Sequence, residues 1–542
     1  MLPASTAAET FTEDEQRQLA PYFTNTDRHV FALTNLPETV KGALFARYSR
    51  SAKSLRRLFL DEFQDKVAAS VDPVASGVGQ ERADRLYAKV FNEYGDDSVA
   101  QLGGAHIACE YVSNILTKVL EWGRLMAYLE QSTRYVPYTD KLHGRWRYHL
   151  PSELGEGALK DRYVRTMDRT FETYAALIPA MQDYFARRHP RSASDSDAVH
   201  RSAVRAKALD TLRGLLPAAT QSNVGIYGSG QAFESLLLRM RAHPLAEVRA
   251  CADDMLAELR KVIPSFLVRV DVPDRGGRWS KYLADARAEM ANLAGLLAAG
   301  EPEPRDEVTL TDFDPDGEIK TVAAALYASS DLPDDQLLSI ARRMTADERA
   351  QVLRAYVGHR TNRRHRPGRA FERTSYRFDV LTDYGAFRDL QRHRLLTLEW
   401  QTLTPRHGYT EPDAIADAGV RPEWERVLDA SAELFEAIAD AGLKPVAPYA
   451  VSMAYRVRFY MEMNAREAMH LIELRTAPQG HPAYRRVCQQ MHTLIADRAG
   501  HRAIAAAMQF TDHSEVALER LHEERTLERK RAAAGAELNE SG

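Results

Sequence analysis

Apolar residues recur at three- and four-residue steps through Ile107, Val112, Ile115, Leu116, Val119 and Leu120, which predicts a packed helix over 105–129. Leu236–Leu259 and Asn464–Leu474 carry the same period. Strands are predicted at fewer places: Arg134–Tyr138, Phe266–Val270 and Tyr376–Val380. The resulting fold class is α+β, helix-rich, with a small sheet in each half. Residues 1–28 are polar and read as an extension, while proline, glycine and acids at 301–318 read as a linker. That gives two domains, 29–300 and 319–515, followed by a charged tail over 516–542. The first half carries an insertion at about 140–200.

The two halves echo each other. Ala43-Leu-Phe-Ala-Arg-Tyr is answered by Ala325-Leu-Tyr-Ala, and Leu-Leu-Leu-Arg239 by Leu-Ile-Glu-Leu-Arg475. A repeat of this length points to duplicated domains rather than a solenoid.

Composition narrows the function. The chain has 542 residues, 44 % hydrophobic and 27 % charged, within the range of ordinary globular proteins. A net charge of −4 argues against general binding to nucleic acid or anionic membranes. Three cysteines far apart in sequence, without a Cys-x-x-Cys pair, argue against a disulfide framework and a cysteine-rich metal site. No apolar run reaches bilayer length and the N-terminus lacks signal-peptide blocks, so a cytoplasmic location is expected.

Basic groups must therefore act locally. Between 360 and 394 there are ten arginines against four acids, ending in Arg392-His393-Arg394. Two guanidinium forks around a histidine suit a pyrophosphate or an anionic ring system. Residues 130–135, Glu-Gln-Ser-Thr-Arg-Tyr, offer a hydroxyl and a guanidinium to a phosphomonoester. By residue type alone, a salt-bridged surface and an ordinary helix end fit these two stretches as well. Gly225-Ile-Tyr-Gly-Ser-Gly230 reads as a turn between helices, since no suitably spaced strand precedes it. Asn464, Arg466, His470 and Arg475 share one helical stretch and split between two of its faces. Neither zinc-ligand spacing nor a P-loop nor Gly-x-Ser-x-Gly occurs, and no metal is expected.

Together these stretches resemble the flavin-dependent thymidylate synthase family, whose signature is Arg-His-Arg-x-x-Ser-x-Asn-Glu-Gln-Ser-x-Arg-Tyr. The first half matches at Arg124, Glu130, Gln131, Ser132, Arg134 and Tyr135, with Trp122, Gly123, Ala127 and Leu129 in place of Arg, His, Ser and Asn. The second half matches at Arg392, His393, Arg394 and Gln401, with Thr397 and Thr402 standing for serine. Glu399 and Trp400 depart from the signature, and Thr404-Pro405 replaces Arg-Tyr. Gly95-Asp-Asp-Ser98-Val resembles the family's Gly-His-x-Ser-Val, although Gln101-Leu102 replaces its Glu-His.

The resemblance implies reductive methylation of dUMP to dTMP, with FAD as cofactor and NADPH and methylenetetrahydrofolate as co-substrates. It implies nucleotide binding by Arg124, Glu130, Gln131, Ser132, Arg134 and Arg213. Flavin binding falls to Ser98, Arg392, His393, Arg394, Asn464, Arg466 and His470, and Arg475 and Arg239 would act on the base. Family sites form between subunits of a homotetramer, so a tandem chain is expected to associate as a homodimer forming a pseudo-tetramer. What one half lacks the other mostly keeps, so composite sites are expected. A non-catalytic flavin- or nucleotide-binding paralogue, and a methyltransferase for another uridine nucleotide, are the alternatives.

Overall fold

The computed structural model describes residues 9–27, 31–48, 53–64, 101–132, 134, 136–298 and 300–540. Ser98 and Tyr135 lie outside the described residues. The principal elements are strands β1 (Gly104–Ser113), β2 (Met126–Glu130), β3 (Gln221–Ser229), β4 (Val308–Phe313), β5 (Ser375–Asp383), β6 (Thr397–Trp400) and β7 (Arg456–Asn464). Five helices bear on the site: α1 (Asn114–Leu120), α2 (Gly230–Arg241), α3 (Tyr384–Leu390), α4 (Ala465–Arg475) and α5 (Pro482–Asp497).

Among the described residues, one local device recurs four times. A strand ends on a short polar residue in extended conformation, and its side chain accepts an N–H bond from the first turn of a helix. Ser113 Oγ accepts from Leu116 as β1 passes into α1, and Ser229 Oγ from Ala232 as β3 passes into α2. Asp383 and Asn464 cap α3 and α4 in the same way, each at 2.9 Å. A cap of this type lets the chain switch from a two-residue to a 3.6-residue period without an intervening loop.

Described residues of 1–110, 125–130 and 223–300 form one compact unit, and those of 111–124, 131–222 and 301–542 form a second. The first unit's sheet runs β1-β3-β2, with β3 at its centre. Ser222, Val224, Ile226 and Gly228 alternate inward along β3. Gly228 needs its bare Cα, because a Cβ there would lie 2.6 Å from Met126 Cε, and Gly104 likewise would meet the Gly228 carbonyl at 2.8 Å. Cys109 and Cys251, distant in sequence, lie close enough in this unit to shift each other's ionisation, Cys109 downward and Cys251 upward.

The second unit's sheet runs β4-β5-β7-β6, all antiparallel. Tyr376, Phe378 and Val380 of β5 face Met463, Met461 and Phe459 of β7 and form the buried side of the ladder. Leaving out the edge strand β4, this order of middle and flanking strands, β5-β7-β6, repeats β1-β3-β2.

Several sequence expectations change. The stretch 105–129 is strand, short helix and strand in place of one helix. Tyr111 has φ of +56°, and such a residue interrupts the two-residue alternation of β1, so its apolar positions mimic helical steps. Leu236–Leu259 is two helices, Gly230–Arg241 and Ala246–Leu259, broken at His243-Pro244. Gly225 and Gly228 lie in β3 and Gly230 opens α2 behind the Ser229 cap, in place of the expected turn. The described residues of the expected strand, 134 and 136–138, are not in a strand: Val136 N–H bonds back to the Ser132 carbonyl, and Pro137 has no donor for a ladder. The Phe266–Val270 stretch closes successive turns, Leu267 on Pro264 and Val270 on Leu267. The acidic stretch at 301–318 contains β4, preceded by Glu307, which binds Arg486, Gln490 and Thr382. Tyr376–Val380 and the helix beyond Asn464 form as expected.

Candidate functional site

The second unit brings the two motif stretches together. Tyr384 on α3 donates its hydroxyl to the Asn114 carbonyl on α1 at 3.1 Å, and Gln391 donates to the Lys118 carbonyl at 2.8 Å. Beyond α1, Trp122 Nε1 donates to the Leu398 carbonyl at 3.4 Å, and Arg124 Nη2 reaches Thr397 Oγ1 at 3.2 Å. The indole thus uses its single donor on the strand of the other motif. Just before it in the chain, Lys118 and Glu121 form a fully buried ion pair.

Past this junction, arginines from both stretches gather. Arg134 is held by Asp210, which accepts from Nε at 2.8 Å and Nη2 at 2.6 Å. Arg134 also donates to Tyr484 Oη and to the Gln479 carbonyl, both at 3.2 Å, so its guanidinium is fully engaged. Arg475, at the end of α4, has its guanidinium carbon 5.4 Å from the Tyr484 ring centroid. Its Nε donates to His393 Nε2 at 3.0 Å. A continuous path therefore runs from Asp210 through Arg134, Tyr484 and Arg475 to His393.

Arg213 is different. It is 4 % exposed, Nη1 reaches Asp389 Oδ2 at 3.3 Å, and its Nε and Nη2 have no partner among the described residues. Burial alone would raise the Asp389 carboxyl, but Arg213, Arg392, Arg475 and Arg134 hold it well below the usual carboxylate range. Arg213 also lines a cavity of about 310 Å³ with Asp210, Asp383, Gly385, Trp424 and His481.

Around His393 a second cluster forms. Its Nδ1 faces Glu467 Oε1 at 3.2 Å, while Nε2 accepts from Arg475, so the geometry fixes Nδ1 as the protonated nitrogen. Burial, then Arg475, His470 and Arg366, hold His393 neutral. Burial pushes the Glu467 carboxyl up to about 7 against the pull of Arg366, Arg466 and Arg394. His470 receives Arg366 Nη2 at 3.0 Å and is pushed down to about 4 by burial and then by Arg366. His393, Glu467 and His470 come close enough to one another to hold a metal ion. The chemistry opposes it: arginine N–H groups occupy the histidine lone pairs, and the surrounding charges are positive. Neutral rings edged by cations suit a planar anionic cofactor with a pyrophosphate. Of the residues expected to bind flavin, Arg394 is exposed beside Glu467, and Arg392 follows α3 on the same loop.

The remaining expected residues are placed as follows. Gln131 accepts Ser222 Oγ through its carbonyl at 3.4 Å, and Ser132 Oγ accepts the Arg134 N–H at 3.2 Å. Asn464 spends its side-chain oxygen capping α4, and Arg466 binds the Pro367 carbonyl and Glu372. Glu130, buried opposite Val224 at the end of β2, and Arg239 on α2 belong to the first unit. Sequence reading missed Asp210, Asp389, Glu467 and Tyr484. Asp389 was legible as one of the four acids within the arginine-rich run; the other three carried no comparable signal.

The fold and this site define a helix-rich α+β protein in which arginines distant in sequence converge on a buried carboxylate and a neutral histidine. The chain belongs to the thymidylate synthase complementing protein family, that of the flavin-dependent thymidylate synthases, whose sequence model matches residues 43–265 and 309–499. It is 37 % identical over 520 residues to a UPF0159 protein of Chlamydia muridarum, covering 95 % of this chain and 98 % of the relative. A UPF0159 protein of Thermoplasma acidophilum is 30 % identical, covering 89 % and 97 %. A flavin-dependent thymidylate synthase of Clostridium tetani is 24 % identical over 198 residues, 36 % of this chain and 73 % of that one. Among solved structures, a UMP/dUMP methylase from Streptomyces cacaoi with 5-Br dUMP aligns at 19 % identity and a TM-score of 0.30, covering 38 % of this chain and 96 % of that one. No helix among the described residues is long and apolar enough to cross a membrane.

Proposed function

We propose that the chain is an FAD-dependent, thymidylate-synthase-like methyltransferase that converts dUMP to dTMP, with methylenetetrahydrofolate and NADPH as co-substrates. The observation that carries this reading is the convergence of Arg134 and Arg213, from the first family segment, with Arg475 and His393, from the second. Family membership and the likeness to the Clostridium tetani enzyme support it.

In this reading Ser132, Arg134 and Arg213 take the nucleotide phosphate, with Arg124 and Gln131 beside them in sequence; Glu130, of the first unit, is proposed separately as a nucleotide-binding residue. Arg213 is the arginine with donors to spare; Arg134, locked by Asp210, gives shape and charge. Arg475 stacks beside Tyr484 and points its guanidinium at the base, where it would stabilise negative charge developing on the pyrimidine as C5 is activated. Arg239 is its counterpart in the first unit. Bound FAD would supply the hydride chemistry. Arg392, Arg394, Asn464, Arg466 and His470 would hold that cofactor, and neutral His393, fixed by Glu467 and Arg475, would orient its ring.

The shared strand order, with a capped helix after the same two strands of each sheet, supports descent from a tandem duplication. A homodimer of such chains would reproduce the family's fourfold assembly.

The test is direct. Purified protein should show flavin absorbance after addition of FAD and release tritium from [5-³H]dUMP with NADPH and methylenetetrahydrofolate. Binding of both ligands without tritium release would favour the non-catalytic paralogue. Release from labelled UMP instead would reassign the substrate. A protein that binds neither ligand would end the proposal.

A further inference from the structure

Two arginines of the first family segment differ in how far they are satisfied. Arg134 has its donors taken by Asp210, Tyr484 and Gln479. Arg213 is more deeply buried, yet among the described residues it keeps one contact of 3.3 Å, to Asp389, longer than the 2.7–2.9 Å usual for a charge-assisted bond. Its other two nitrogens, Nε and Nη2, lie beside Gly385, where an added Cβ would stand 3.1 Å from Nε and 3.2 Å from Nη2. Unpaired buried donors of this kind are costly, about 1–3 kcal/mol each, so an arginine left with two is held ready for a ligand. Asp389 completes the picture. It is 15 % exposed, at the end of α3 and three residues before Arg392.

We propose that Asp389 is a built-in counter-anion that stands in for the nucleotide phosphate: it holds Arg213 while the site is empty and yields it when a phosphomonoester enters. Asp389 is then a specificity-determining residue, because its charge opposes the incoming phosphate and sets how tightly the phosphate is held. The arginines bind anions, and the aspartate limits which anions win. A neutral nucleoside, making no claim on Arg213, is indifferent to it. The inference rests on the nucleotide reading for the identity of the ligand, but not for the exchange itself.

The experiment uses the full chain with Asp389→Asn, which keeps the shape and removes the charge. Calorimetric titrations with dUMP, deoxyuridine and inorganic phosphate are compared with the wild type. The expected result is at least tenfold tighter dUMP and phosphate binding, with deoxyuridine unchanged. Asp389→Ser, smaller and equally neutral, should show the same gain if the asparagine variant fails to fold. A folded neutral variant that binds dUMP no more tightly, or that gains equally for deoxyuridine, overturns the inference. The two readings fail separately. Wild type that binds dUMP with no gain in the variants defeats only the counter-anion. A gain for inorganic phosphate when neither protein binds dUMP upholds the counter-anion and defeats the nucleotide.

Discussion

Arg475 donates from Nε to His393 Nε2 at 3.0 Å while its guanidinium lies over the ring of Tyr484, 5.4 Å from the centroid. One side chain thus fixes the tautomer of a buried histidine and shares an aromatic face with the network that holds Arg134. Arg475→Lys keeps the charge but loses the planar fork, so it should loosen His393 and misplace the charge offered to the base. Tritium release from [5-³H]dUMP should fall about 100-fold, on the scale of losing one transition-state donor. Activity close to wild type would remove Arg475 from the chemistry.

Asp210 is 3 % exposed and is the carboxylate bonded directly to Arg134. Asp210→Asn leaves a buried guanidinium without its counter-charge, and urea denaturation should show a loss of about 3 kcal/mol. Asp210→Asn together with Arg134→Met should recover part of that loss, since neither charge then remains buried.

The His393 cluster should show in the pH dependence of stability. Burial raises the Glu467 carboxyl from 4.5 to about 7, so the folded state binds more protons than the unfolded one across that interval. Its contribution is fully present below pH 4.5 and is lost as pH rises through about 7. The displacement corresponds to roughly 3 kcal/mol. His470, lowered from 6.5 to about 4 by burial and Arg366, works in the opposite sense: its contribution is present above pH 6.5 and lost as pH falls through about 4. In the wild type the two largely cancel between pH 5 and 6.5. Glu467→Gln removes one of them, so its melting temperature should climb more steeply with pH over that range. A parallel profile would show that Glu467 is ionised throughout.

Trp122 occupies the position of the signature's first arginine and donates to the Leu398 carbonyl. Trp122→Phe keeps an aromatic ring and removes the donor, and should cost about 1 kcal/mol in urea denaturation. Trp122→Arg, which restores the signature residue, should cost no more than that, because the position is 40 % exposed and a guanidinium there can stay in water.

The parts of the fold legible in sequence were those whose signal is local. Asn464 followed by an amphipathic run announces a capped helix, and α4 begins there. β1 was not legible, because the left-handed Tyr111 disturbs its alternation and no local rule separates that from a helix. The site shows the same division. Arg134, Arg213, His393 and Arg475 could be picked out by family spacing. Asp210, Glu467 and Tyr484 could not, since their meaning lies in contacts across 76, 74 and 350 residues with Arg134 or His393. What a side chain neutralises is a fact of three dimensions.

In a homo-oligomer a substitution appears in every copy of a site at once. This chain carries Asp389 before its Arg-His-Arg and, at the matching place in the first stretch, Val119. Because both stretches are encoded in one polypeptide, an acid could be introduced opposite one set of arginines and withheld from the other. Selection could therefore tune the two pseudo-equivalent positions independently, a freedom that identical subunits do not have.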